Sequence, residues 1–222
     1  VISDIINARE KEIIEKLDSK DFDIVVAMQE GMPAKYVSKL KCKNKIAWIH
    51  INYQFSEHTR AVFSPKEELE CMKKFNKVVC VSEATKKIFI EKIGDSGNLC
   101  VRYNPINIYG LIEKSKESID FEMPNDRLNF ITLGRLDKQK GYDRLIESAN
   151  KLLEEGKKFN LYIIGDGEKA YSEYLKNKVK FKENICFLGG KINPFPYLIK
   201  ADCYVCASIW EAHSMSIQEA II

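Results

Sequence analysis

Two stretches in the second half of this chain combine residue types and spacing that could do chemistry. Ser208–Ala220 (Ser-Ile-Trp-Glu-Ala-His-Ser-Met-Ser-Ile-Gln-Glu-Ala) sets Glu211 and Glu219 on either side of what reads as a helix start. Gly134-Arg135-Leu136-Asp137-Lys138-Gln139-Lys140-Gly141 is a basic loop between an apolar strand and a helix. Arg135 offers a planar fork and Lys140 a point charge, two ways of meeting phosphate oxygens. Gly134 lets a backbone approach closely, and a carboxylate suits sugar hydroxyls. Together the residues describe a site for a phosphorylated, hydroxyl-rich ligand.

Each piece also has a plainer reading. Eight steps of about 100° leave Glu211 and Glu219 about 80° apart on a helix. They fit better with Glu211 ending the loop and Glu219 inside the helix. Ser214, Met215 and Ser216 would then present N–H groups to an anion. Equally, Ser216-x-x-Glu219 is a capping box that would engage Glu219 with a backbone N–H. Ile164-Gly165-Asp166-Gly167-Glu168 is a turn with an N-cap or a wall of a nucleotide pocket, the turn being favoured. Gly189-Gly190-Lys191-Ile192 could read a base edge with exposed backbone, or be a loop. His50, in Trp48-Ile49-His50-Ile51-Asn52, ends a strand, where functional side chains collect. Asp21-Phe22-Asp23 precedes a strand and reads as a solvated entry. Lys35, Lys39, Lys41, Lys43 and Lys45 read as a solvated face, with anionic lipid as the second reading.

The elements that must position these residues alternate. Asp23–Met28, Lys45–Ile51, Lys77–Val81 and Leu99–Tyr103 are apolar runs of strand length. Helical spacing occupies Ser3–Leu17 (through Ile5, Ile6, Ile13, Ile14 and Leu17), Ala34–Lys41, Pro65–Phe75 and Glu83–Ile93. The second half repeats this, with strands at Leu128–Leu133, Asn160–Ile164, Asn184–Leu188 and Asp202–Ala207. Helices at Tyr142–Glu155, Glu168–Lys180 and Pro196–Lys200 lie between them. Near-continuous apolar strands alternating with helices predict an α/β fold of parallel sheets covered on both faces. Ser115–Arg127 is polar and aperiodic. It divides residues 1–108 from 127–222, two Rossmann-like lobes joined by a linker over 109–126. The chain opens directly on a helix and stops inside an apolar helix face, so both lobes are expected to be truncated.

Composition sets outer limits. The 222 residues are 45% hydrophobic and 30% charged with net charge +3, as in a soluble globular protein. No basic stripe with interleaved aromatics points to nucleic acid, and no run is long and apolar enough for a bilayer. The expected location is cytoplasmic, with peripheral contact at the inner membrane face. Seven cysteines are scattered. Cys80, Cys100, Cys186, Cys203 and Cys206 sit in strand-like runs and read as small buried thiols in a reducing compartment. Cys203-x-x-Cys206 has no second pair to make a metal site.

The order of motifs resembles the retaining glycosyltransferases of the GT-B fold, family four. Gly-Arg-Leu-x4-Lys-Gly, Ile-Ile-Gly-Asp-Gly, a Phe-Leu-Gly strand end, Ala-Asp-x-Tyr-Val-x-x-Ser and Glu-x7-Glu-Ala follow one another. Ile46-Ala-Trp-Ile-His50, Lys77-Val-Val-Cys-Val-Ser82 and Tyr103-Asn-Pro-Ile106 look like the end of that family's first lobe. The resemblance implies transfer of a hexosyl group with retention of anomeric configuration. The donor is a nucleoside diphosphate sugar, UDP-sugar favoured over GDP-sugar, and the acceptor a saccharide or a lipid-linked one. It implies no metal or other cofactor. It gives the diphosphate to Arg135 and Lys140, the ribose to Glu219 and the donor sugar's surroundings to Glu211. The Ser214–Met215–Ser216 backbone would lie near sugar and phosphate, and Gly190, Lys191 and Ile192 would border the base. Gly134 and Gly165 would belong to the same pocket. His50 would contact the transferred sugar, and Glu30 and Gly31 the acceptor side. Ala212 and His213 depart from the family's usual glycine and aromatic residue. A nucleotide-sugar 2-epimerase and a non-catalytic nucleotide-sugar binder are the alternatives.

Overall fold

A computed structural model of the chain describes residues 2–55 and 61–222. It divides into two compact units, one of residues 1–104 with 211–213, the other of 105–210 with 214–222.

The first unit alternates helices α1 (Ile2–Asp18), α2 (Met32–Lys39), α3 (Pro65–Met72) and α4 (Glu83–Lys92) with strands β1 (Ile24–Ala27), β2 (Asn44–Ile49), β3 (Lys77–Cys80) and β4 (Leu99–Val101). All four strands are parallel in the order β1-β2-β3-β4. The side chains of residues 2–8, including Ile5 and Ile6 of the expected apolar face, lie outside the described part. Ile14 and Leu17 do pack on the core, with Ala27, Ala47, Ile49, Met72, Val78 and Phe89 at its centre. Helix α3 starts at a capping box formed by Ser64 and Glu67, and Ser82 caps α4.

The second unit holds α5 (Ile108–Ser115), β5 (Leu128–Leu133), α6 (Tyr142–Glu154), β6 (Phe159–Ile164), α7 (Lys169–Lys178), β7 (Ile185–Gly189), α8 (Phe195–Leu198), β8 (Cys203–Tyr204) and α9 (Met215–Ile221). Its strands are parallel in the order β7-β6-β5-β8. Strand β6 is buried along its whole length and alternates faces. Leu161 and Ile163 meet Ile146 and Leu175 of α6 and α7, whereas Tyr162 and Ile164 meet Tyr197 of α8.

Three expectations change. Residues 109–126 are not a free connector: α5 occupies part of them, and Ile119, Phe121 and Met123 pack on the sheet face beside Tyr162. Three apolar side chains in a polar run seat it, together with the contacts of Asp120 to Lys191 and Tyr197. The expected strand Asp202–Ala207 shrinks to Cys203–Tyr204, because at the sheet edge it has only β5 to pair with. For the same reason Cys203 and Cys206 are exposed rather than buried; Cys71 and Cys80 are the buried thiols, and all seven are free.

Candidate active site

The order β7-β6-β5-β8 places the reversal of strand sequence between β5 and β8. In open parallel sheets ligands bind outside the strand carboxyl ends at such a point. The loop leaving β5 is Gly134–Gly141, and the segment leaving β8 leads to Glu211 and α9.

The Gly134–Gly141 loop is held along its length. Gly134 N–H donates to Ile164 O at 3.0 Å, and Leu136 N–H to Asp166 O at 2.9 Å. The β5–β6 ladder thus continues past the strands into both loops. At the far end Asp137 Oδ1 accepts from Lys140 N–H at 3.2 Å, capping a 3-10 turn over Lys138–Lys140. Gly141 follows with φ 63°, and a Cβ there would stand 2.3 Å from Ala207 O. Tyr142, fully buried at the start of α6, donates its hydroxyl to Gly134 O at 3.1 Å. Burial pushes the Tyr142 hydroxyl pKa up. Two further bonds from the loop and one from the first turn of α6 reach the segment after β8. Ile209 N–H donates to Gln139 O at 2.7 Å, Gln139 Nε2 to Trp210 O at 3.0 Å, and Arg144 Nη2 to Ala207 O at 3.1 Å.

On this fixed loop the Arg135 side chain is 78% exposed and lies 3.5 Å from the Asp137 carboxylate. It borders a cleft of about 930 Å³ together with Lys138, Asp166, Glu168 and Tyr171. The guanidinium is therefore accessible and oriented by a neighbouring carboxylate rather than buried in an ion pair.

Gly165 is there for space. A Cβ on it would lie 1.8 Å from Gly134 O, so only glycine lets the two loops approach. Its N–H donates to Gly189 O at 3.0 Å, which joins the third strand end to the stack. The β6–β7 register shifts between Ile163 and Ile164, just before this turn. Gly190 makes room for the Asp166 carboxylate, which would meet a Cβ at 2.1 Å. Beyond it Lys191 turns away from solvent to pair with Asp120, and Ile192 is fully exposed.

At the last helix the capping box expected from Ser216 and Glu219 does not form. Helix α9 begins at Met215 with Ser214 as its N-cap, so Ser216 already lies inside it. Its hydroxyl pairs instead with Tyr204 Oη at 2.8 Å and Ser214 Oγ at 3.2 Å. Glu219 is half-buried with no hydrogen-bond or ion-pair partner among the described residues. Burial alone holds its carboxyl above the usual carboxylate range. It lines a cavity of about 320 Å³ with Leu111, Tyr204 and Ile222, distinct from the cleft at Arg135.

Glu211 is grouped with the first unit rather than with Glu219. There Ala212 O accepts from Ser82 Oγ at 2.8 Å and Thr85 Oγ1 at 3.4 Å, and the His213 ring lies 5.2 Å from Tyr103. His50 follows β2, its ring stacked 6.0 Å from Trp48. Glu30 is buried, and its Oε2 accepts the His50 N–H at 2.9 Å. Gly31 caps α2 with φ 74°. Glu30 thus supports the strand end from within rather than lining a surface. Two of the five lysines near α2 are also committed: Lys45 closes the Ser38 and Leu40 carbonyls, and Lys39 pairs with Glu10. Among the described residues no three His, Cys, Asp or Glu side chains cluster as metal ligands would. No helix among them is long and apolar enough to cross a membrane.

Sequence reasoning missed Gln139, Tyr142, Arg144 and Tyr204, which fix the loop and the start of α9. Tyr142 and Tyr204 sit beside strand or loop ends, where an aromatic residue with a hydroxyl can serve core and hydrogen bond together; that was the available signal.

The family model of glycosyl transferases group 1 matches residues 113–222. An uncharacterized glycosyltransferase of Methanocaldococcus jannaschii is 35% identical over 122 residues, 53% of this chain and 30% of that protein. The N-acetylgalactosamine-N,N'-diacetylbacillosaminyl-diphospho-undecaprenol 4-alpha-N-acetylgalactosaminyltransferase of Campylobacter jejuni is 29% identical over 122 residues, 54% of this chain and 32% of that one. The crystal structure of Anabaena HepE in complex with UDP and glucose superposes with a TM-score of 0.75 at 16% identity, over 96% of this chain and 59% of that one. The chain thus spans about a third of the length of these curated relatives. The structural likeness gives the GT-B fold, and residues 113–222 are similar to the glycosyl transferases of group 1.

Proposed function

We propose that the protein is a retaining glycosyltransferase that moves a hexosyl group from a nucleoside diphosphate sugar, a UDP-sugar before a GDP-sugar, to a saccharide or lipid-linked acceptor. The observation that carries this reading is the pinned Gly134–Gly141 loop at the strand-order reversal, with the Arg135 guanidinium exposed on it. A cation carried on a backbone already held in place, near where a diphosphate leaves, stabilises the charge as it develops. In this reading Arg135 and Lys140 hold the diphosphate, and Glu219 takes the ribose hydroxyls. Glu211 neighbours the donor sugar, and His50 serves the transferred sugar. The Ser214–Ser216 backbone faces sugar and phosphate, and the Gly190–Ile192 loop faces the base. No nucleophilic carboxylate is assigned: the acceptor hydroxyl attacks the face that the diphosphate leaves and passes its proton to the departing phosphate. Two relatives lend support. HepE was crystallised with UDP and glucose, and the Campylobacter protein is named for a polyprenyl diphosphate substrate. A lipid-linked acceptor would bring the protein to the inner membrane face.

Incubation with UDP- and GDP-sugars tests the reading. Nucleoside diphosphate release that depends on acceptor supports transfer, and it should persist after EDTA treatment. A new sugar epimer without release would overturn transfer in favour of epimerisation. Arg135→Ala should weaken donor binding by about tenfold or more, the scale of one charge-assisted contact to phosphate. Unchanged affinity would remove the phosphate assignment.

A further inference from the structure

The polar segment before β5 and the loop after β7 are joined by an ion pair, two hydrogen bonds and ring contacts. Asp120 Oδ2 lies 3.1 Å from Lys191 Nζ, and Tyr197 Oη donates to Asp120 Oδ1 at 2.8 Å. Lys191 Nζ also stands 5.1 Å over the Tyr197 ring. Four residues before Tyr197, Asn193 Nδ2 donates to Lys114 O at 2.8 Å, at the end of α5. Phe121, next to Asp120, places its ring 5.3 Å from Tyr162 and 6.0 Å from buried Tyr197. The Tyr197 hydroxyl, then the Lys191 ammonium, hold the Asp120 carboxyl below the usual range. Asp120 itself is on the surface, so its strength as a clamp comes from geometry: one oxygen is taken by Lys191 of the loop after β7 and the other by Tyr197 of α8.

The consequence is for what that loop can offer a ligand. With its ammonium drawn to Asp120 and Tyr197, Lys191 leaves the backbone of Gly190–Ile192 and the exposed Ile192 side chain as the presented groups. Backbone N–H and C=O groups can read a base edge and an apolar side chain can support its face, while the loop's cation is committed to Asp120. We propose that Asp120 is a positioning residue for the donor's base: by clamping Lys191 and Tyr197 it sets the Gly190–Ile192 loop in the conformation that receives the base. This rests on the reading of the second unit as a nucleotide-sugar site.

The test separates base from phosphate, using the full 222-residue chain and calorimetric titration with UDP and with inorganic pyrophosphate. Asp120→Ala should weaken UDP by about fivefold to tenfold, the scale of a lost charge-assisted hydrogen bond, and leave pyrophosphate unchanged. Tyr197→Phe should move UDP in the same direction, and Asp120→Asn, which keeps an acceptor for the Tyr197 hydroxyl, should recover part of the loss. In turnover, Asp120→Ala should raise the KM for donor more than it lowers kcat. Arg135→Ala is the control and should weaken both ligands. If it does, and Asp120→Ala weakens both equally, weakens neither, or lowers only the melting temperature, the inference is overturned while the site reading stands. If Arg135→Ala changes neither ligand, the phosphate site falls and the inference with it.

Discussion

Glu219 carries the most informative side-chain environment in the second unit. A half-buried carboxylate without a partner resists ionisation, because burial penalises the charged form. Its folded-state pKa lies above the ordinary 4.5. The proton it holds therefore favours the folded state, fully so below the unfolded pKa, and that contribution is lost as pH rises through the folded value. Glu219→Gln should melt with the wild type at about pH 4 and above it at neutral pH, read by calorimetry across a pH series. If the ionised group anchors ribose, the same variant should bind UDP more weakly and lose the rise in UDP affinity that the wild type shows as pH climbs out of the acid range. A variant that binds UDP as well as the wild type at neutral pH would refute the anchor. At this scale the sequence showed which residues could act, since Arg135 and Glu219 announce themselves by type. It could not show that Ser216 would be taken by Tyr204, because that bond joins the edge strand to the last helix.

The loops leaving β5 and β6 are one structural object, held by backbone bonds that continue the ladder and by the absence of a side chain at Gly165. Gly165→Ala would drive a methyl group into Gly134 O, so one loop must move. A loss of stability of at least about 2 kcal/mol follows, as for other overpacked sites, together with weaker nucleotide binding as Arg135 is displaced. Urea unfolding and UDP titration on one sample check both; an alanine variant of native stability would mean the loops are not in contact. The elements themselves were largely legible. Strand β5 has the limits its apolar run predicted, and α6 ends one residue from its expected boundary. The failures were at edges. Asp202–Ala207 is as apolar as a central strand, but run length does not state how many neighbours a strand will have. Residues 109–126 look like a linker by polarity, yet Ile119, Phe121 and Met123 pack on the sheet and Asp120 pairs with Lys191 and Tyr197.

The whole molecule distributes its seven thiols unevenly. Burial pushes the Cys80 pKa up to about 12 and raises that of Cys71, so both stay protonated and shielded. A thiol reagent on native protein should therefore label Cys203 and Cys206 first, with Cys71 and Cys80 reacting only after denaturant, as mass spectrometry of the digested protein would record. Early labelling of Cys80 would contradict the core of the first unit. The alternation of apolar runs with amphipathic helices determined, by itself, that the chain makes parallel sheets clothed by helices, because strands buried on both faces must be apolar throughout. Residue types determined the chemistry on offer: cations for phosphate and carboxylates for hydroxyls. Tertiary structure alone decided that β8 returns beside β5, which creates the strand-order reversal and ties Gln139 and Arg144 to the segment after β8. It also decided that Glu211 and Glu219 fall in different units, and that Glu30 lies buried behind His50. Those outcomes depend on which surfaces meet across long stretches of chain, and local periodicity carries no record of such pairings.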